Sequence, residues 1–295
     1  MSEYVILADS TSDLSTELRK EYDIDYLRMS VIVDNVPRVA SLDYEEFTIK
    51  ELYDWMRNGK KVTTAQVTAE EFINKFTKYL NEGKDILYIS CSSGLSGSYN
   101  TSLLIKEELL EKYPERKIVC VDSLNASMGQ GMIAIKAACL KRDGATIEEV
   151  ADIIERTRLC ANQFCATETL TYLYRAGRVK GPKAFFGNLF GIKPIIISDA
   201  KGVNSAIPQK VKGRKNSLLE IIKLTKENGI DLENQILYVV HADAEEDANF
   251  VKEELIKQVN PKGVHIGVIG PIIGASAGPG TIAIYSWGKK VTTNE

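Results

Sequence analysis

The chain has 295 residues, 44% of them hydrophobic and 26% charged, with a formal net charge of −3. That is ordinary globular composition, long enough for two domains and a sizeable core, and its mildly acidic balance points away from nucleic acid and from anionic membrane surfaces. Five cysteines, an odd number with no CxxC pair, read as reduced core residues rather than disulfides or metal ligands.

The chain opens on a strand-like run, YVILA (4–8), closed by Asp9-Ser10. No basic stretch leads into a long apolar one there, and no apolar run approaches the ~20 residues of a membrane helix, so a cytoplasmic protein without stable membrane insertion is expected. A helix follows over 15–22, then short extended pieces near 26–29 and 31–33. Asp43 can cap a helix through Trp55, and Thr68 with Glu71 three residues on gives a capping box for a helix through Leu80. ILYIS (86–90) reads as a buried strand, followed by a Ser/Gly loop and helical spacing over 103–110. KIVCV (117–121) is the next strand, closed by Asp122-Ser123 as the first was closed by Asp9-Ser10. Helices follow through Leu140 and from about Thr146 to Cys160. This alternation predicts a doubly wound parallel sheet, and such sheets bind ligands at the carboxyl ends of their strands. The loops after Ala8, Ser90 and Val121 are therefore the places to look.

A second α/β unit with a mixed sheet is expected from residue 162, dividing the chain into 1–161 and 162–295. FCATE (164–168) and IKPIIIS (192–198) read as strands, with a helix broken at glycines over 170–181 and an apolar helical segment at 185–190. A helix over 217–228, a strand ILYVVH (236–241), a helix over 245–259 and strands at 264–270 and 281–287 complete it.

Several clusters could hold a ligand. DSTSDL (9–14) suits a helix cap or a polar wall. In CSSGLSGSY (91–99), glycines free backbone N–H groups at a helix start, where an anion is favoured; the absence of the lysine of GxxxxGKS/T disfavours nucleotide triphosphates. VTTAQVT (62–68) offers threonine hydroxyls, and GPIIGASAGPG (270–280) is either tight turns or backbone against ligand. Arg175 and Arg178 beside Tyr172 and Tyr174 suit carboxylate or phosphate recognition, or simply a solvated face. The two histidines, His241 and His265, have no partners at metal-ligand spacing, and no nucleophile–base pair is evident, so no metal, cofactor or catalytic residue is expected.

In their order, ILADSTSDLS, Thr63-Thr64, SSGLSGSYN, VDS, LYRAGRVKG followed by IKPI, and GPIIG…GPG, these blocks resemble the DegV family over essentially the whole chain. The resemblance implies a two-domain lipid carrier with a long-chain fatty acid in a cleft between the domains, similar to the binding subunit of bacterial fatty acid kinase and tied to phospholipid metabolism. There a separate kinase subunit phosphorylates the carboxylate, and the carrier is not an enzyme alone. It further implies that Thr63 and Ser93, with Gly94 alongside, hold the carboxylate. The usual pattern is nearer TSQPS than the TTAQV found here, so Thr64 competes for that role. The family often has a histidine two residues before the final GPG loop, where this chain has Ser276. Arg175 or Arg178 would dock the kinase. Phe164, Phe185, Phe186, Phe190 and Ile273 are candidates for the acyl lining, or ordinary core. Against this stand two rivals: a small-molecule kinase or phosphatase recruiting Asp9, Asp122 or Asp243, and a lipid-responsive sensor.

Overall fold

The computed structural model describes residues 3–180, 191–207 and 211–295. Its first half runs β1 (Tyr4–Asp9), α1 (Thr16–Tyr22), β2 (Ile24–Leu27), β3 (Met29–Val33), β4 (Val36–Ala40), α2 (Ile49–Arg57), β5 (Val62–Ala65), α3 (Ala69–Asn81), β6 (Asp85–Ser90), α4 (Ser98–Lys112), β7 (Ile118–Asp122), α5 (Met128–Arg142) and α6 (Ile147–Thr157). Strands β2-β1-β6-β7 form an all-parallel sheet, with Ile6 opposite Leu87 and Ile86 opposite Ile118. Its central strand β6 is buried along its whole length, as expected of a sheet covered by helices on both faces.

The second half runs β8 (Ala161–Ala166), α7 (Thr171–Arg175), β9 (Ile192–Lys193), β10 (Ile195–Ser198), β11 (Asn204–Ala206), β12 (Val211–Lys212), α8 (Arg214–Asn228), β13 (Ile236–His241), α9 (Glu245–Val259), β14 (Gly263–Val268), α10 (Pro271–Ala277) and β15 (Ile282–Trp287). Strands β11-β10-β8-β15-β13-β14 form a mixed sheet in which only β13 and β14 run parallel. The fold is thus α/β, with a parallel sheet in one domain and a mixed sheet in a second.

The two faces of the mixed sheet belong to different cores. Phe164, Ile195, Val239 and Ile284 point away from the parallel sheet and pack with Ile221 of α8 and Val251 of α9. Cys165, Ile196, Val240 and Ala283 point the other way, into one continuous core with the parallel sheet. Helix α5 contacts β1 and β6 of one sheet and β8 and β15 of the other. It is buried from Met128 through Ile135, the pattern of a helix with apolar surroundings on every side.

Two local expectations are corrected and one is completed. Asp43 does not cap α2: Thr48 does, in a reciprocal capping box with Glu51, while Asp43 pairs with Arg19. The extended pieces after β2 belong to a separate antiparallel sheet, β4-β3-β5, whose third strand carries the VTTA segment. The Gly/Pro-rich segment after β14 is not all turn. Pro271 sits in the first turn of α10, where its missing N–H costs no hydrogen bond. This short helix leans on α2, α7, β3 and β5.

Candidate functional site

The loops at the carboxyl ends of β1, β6 and β7 converge on one cavity of about 260 Å³. Each contributes wall: Thr11 after β1, Cys91 and Leu95 to Gly97 after β6, and Ala126-Ser127 after β7. The opposite wall is the near face of the mixed sheet, where Gln163 and Cys165 of β8, Ile196 of β10, and Ala283 and Tyr285 of β15 stand side by side. Helix α10 closes the top with Ile272, Ile273, Ser276 and Ala277. The cavity therefore lies where the two sheets face each other.

The loops are held rigid by carboxylates that receive backbone N–H groups. Asp9 is fully buried; its Oδ2 accepts from the Tyr88 hydroxyl (2.7 Å) and Cys91 N (3.1 Å), and its Oδ1 from Thr11 N (3.0 Å). Asp122 Oδ1 accepts from Ser93 N (3.1 Å) and Leu124 N (3.0 Å). Asp243 pairs with Arg57. The three carboxylates that an enzyme reading would recruit are thus engaged in holding structure. The thiols in the wall are buried and unreactive in character: burial pushes Cys165 up to about 12 and raises Cys91 as well. Burial depresses the pKa of both His241 and His265, and the His241 ring accepts from Ala244 N (3.2 Å). Among the described residues no cluster of His, Cys, Asp or Glu could hold a metal ion. All five cysteines are free, and no described helix is long and apolar enough to cross a membrane.

At one end the cavity meets a surface groove of about 570 Å³. Thr64, Arg178 and Ser276 line both and so form the neck between them. Lys60, Lys61 and Arg175 stand around the groove, so its rim is cationic. Arg178 is fixed in place: its Nε donates to Leu95 O (2.8 Å) and one terminal nitrogen to Ala176 O (2.7 Å). Gln66 crosses from β5 to α4, donating to Thr101 Oγ1 (2.8 Å). Its carboxamide lies where a Cβ on Gly97 would stand, so only glycine at 97 admits this bridge.

The predicted site residues divide accordingly. Thr64, Ser276 and Arg178 meet at the neck. Thr63 and Arg175 line the groove alone; along β5 successive side chains alternate, which sends Thr63 outward and Thr64 inward. Ile273 lines the cavity. Ser93 and Gly94 do not reach the neck: both are exposed, and Gly94 abuts Val203 and Lys201 O in the β10–β11 turn. A turn after Ser92, with Leu95 N and Ser96 N on its carbonyl, folds Ser93 and Gly94 outward, and from this loop Leu95, Ser96 and Gly97 line the cavity instead. Phe164 is corrected to core, since its neighbours Gln163 and Cys165 face the cavity and strand alternation turns the phenyl ring to α8. Phe185, Phe186 and Phe190 lie outside the described residues.

Sequence reasoning passed over Gln163, Tyr285 and Asn204. Their side chains form a row running from the buried Tyr285 and Gln163 to the half-buried Asn204: the Tyr285 hydroxyl donates to Gln163 Oε1 (3.2 Å), and Gln163 Nε2 donates to Asn204 Oδ1 (3.3 Å). Two adjacent amides, Asn162 and Gln163, inside a buried strand were the available signal, because a buried amide requires partners.

Known proteins match the chain along almost its whole length. A family model described as "Uncharacterised protein, DegV family" matches residues 3–288. A DegV domain-containing protein of Clostridium perfringens is 35% identical over 289 residues, 98% of each chain. The structure described as fatty acid binding of a DegV family protein from Thermus thermophilus superposes with a TM-score of 0.88 at 27% identity, covering 98% of this chain and 100% of that one. A DegV lipid binding protein from Thermotoga maritima gives 0.83 at 29% identity, covering 96% and 97%. Matched from its first strand to its last, and in both sheets that enclose the cavity, the chain belongs to the DegV family.

Proposed function

We propose that this protein is a cytoplasmic carrier that binds one long-chain fatty acid and presents its carboxylate to a separate kinase subunit. The observation that carries the reading is the neck, where a largely apolar cavity opens onto a cationic groove. The acyl chain would occupy the cavity, among Ile196, Ile269, Ile272 and Ile273, and the carboxylate would stop at Thr64, Ser276 and Arg178. Burying each methylene contributes about 0.8 kcal/mol, so a long chain supplies on the order of 10 kcal/mol gross before the costs of association. Each hydrogen bond to the charged head adds roughly 1.5–3 kcal/mol. The tail holds the ligand, and the neck fixes where its head emerges. Arg175, exposed on the groove rim, is the residue we assign to the kinase. The fatty-acid and lipid binding named for relatives of this fold supports the same reading.

Lipid mass spectrometry of the purified, denatured protein is expected to release a stoichiometric acyl chain. Finding none, together with no uptake of added fatty acid by the native protein, overturns the reading. With a fatty acid kinase catalytic subunit and ATP, acyl phosphate should form only when the carrier is present, and Arg175→Ala should slow its formation at unchanged fatty acid affinity.

A further inference from the structure

Asp13 lies outside the neck and ties three parts of the chain together. It sits in the loop after β1 at φ 52°, a left-handed conformation, and is buried. Its Oδ2 accepts from Ser127 Oγ (2.5 Å) at the start of α5, and its Oδ1 accepts from Gly270 N (2.9 Å) at the start of α10. A Cβ on Gly270 would come within 2.7 Å of that oxygen, so the close approach requires glycine. Ser127, at φ 54°, lines the acyl cavity, and α10 closes its top. On its other side Asp13 borders a surface hollow of about 360 Å³, shared with Glu17, Asp43, Tyr44 and His265. One carboxyl group thus stands between the cavity and a route for protons.

We propose that Asp13 is a proton-operated latch on α10: protonated, it holds the top of the cavity closed, and ionised, it loosens α10 and speeds ligand exchange. The part concerning ligand rests on the fatty-acid reading above. The neutral form keeps both links, because its O–H can donate to Ser127 Oγ while Oδ1 still accepts from Gly270 N. Burial pushes the Asp13 pKa up to about 7; the Ser127 and Gly270 hydrogen bonds pull it down in part, and the Asp9 charge adds to the rise. In an opened arrangement the carboxyl meets water and returns toward its ordinary 3.8. The closed state therefore binds the proton more tightly. Closure is fully favoured below the ordinary value, weakens by up to about tenfold per pH unit from there to about 7, and changes no further above it. The neighbouring tyrosines and surface carboxylates do not mimic this profile. Burial raises Tyr44, Tyr53 and Tyr285, so all three stay neutral throughout. Glu17 and Asp43 are held below the usual carboxylate range, Asp43 against its partial burial by Thr16 and Arg19. Burial lowers His265.

Stopped-flow displacement of a fluorescent long-chain fatty acid, from about pH 5 to about pH 8, tests the latch in the full chain. Exchange should accelerate at least tenfold up to about pH 7 and then level off. In Asp13→Asn it should stay slow, keeping only the slope that the ligand's own carboxylate imposes. Ser127→Gly removes a hydroxyl that lowers the Asp13 pKa, and glycine accepts φ 54°, so the midpoint should move upward. Hydrogen-exchange protection of α10 amides, corrected for intrinsic rates and read without ligand, should follow the same profiles. That arm stands even where no fatty acid binds. Flat protection of α10 in the wild type, wild-type pH dependence in Asp13→Asn, or an unmoved midpoint in Ser127→Gly overturns the latch.

Discussion

Thr64 and Ser276 come from distant parts of the chain, one on an edge strand and one on a short helix, and share a single neck. In the proposed site the hydroxyl at 276 would donate a hydrogen bond without a titrating charge, so the head-group grip would rely on neutral donors and on the fixed Arg178. Neither hydroxyl belongs to the hydrophobic core, so removing them probes binding rather than folding. Thr64→Val or Ser276→Ala alone should each weaken fatty acid binding by roughly 1.5–3 kcal/mol, about ten- to a hundredfold in Kd. Titration calorimetry on delipidated protein reads this directly. Unchanged affinity in both variants would place the carboxylate elsewhere, whereas Ser93→Ala, on an outward-folded turn, should leave Kd unaltered.

At the scale of elements, strand alternation decides which side chains meet ligand and which meet helix. Along β8, Gln163 and Cys165 face the cavity, while Phe164 faces α8 and α9. Phe164→Ala should therefore destabilise the protein by about 3–5 kcal/mol, measured by denaturant unfolding, with little effect on how much acyl chain it carries. Cys165→Phe should do the reverse, filling the cavity and excluding the chain at modest cost in stability. A Phe164→Ala variant that folds normally but loses its lipid would reject this division. The same strand marks the limit of the sequence. Its six residues are all buried, so no polar alternation distinguishes its faces, and a large apolar ring is a natural but mistaken guess for a lining residue. Strands β1, β6 and β7 were legible because they are compact apolar runs ended by Asp or Ser, and the loops that follow them do converge on the cavity. The sheet β4-β3-β5 was not, because short strands joined by distant pairings, such as Val31 with Thr64, leave no periodic trace. Nor was α10, whose glycines and prolines signal turns until packing on α2 and α7 makes seven of its residues helical.

At the scale of the whole molecule, the cavity is an interruption in a core that the two sheets share. Ile6 and Leu87 of the parallel sheet, Met132 of α5, and Cys165 and Tyr285 of the mixed sheet all belong to one cluster, so neither half can unfold without exposing the apolar face of the other. Among the described residues the second core, behind the mixed sheet, is smaller and adds to this unit from outside. Delipidated protein should accordingly melt in one transition rather than two. A fatty acid laid between the sheets binds only the assembled fold and should raise that single transition. At a free concentration of about a hundred times Kd the gain is about 2.7 kcal/mol. For a chain of this size that corresponds to a Tm increase on the order of 5 °C. Differential scanning calorimetry at increasing fatty acid concentration measures it. Two resolved transitions, of which ligand moves only one, would show that the acyl chain is held within one half instead of between both.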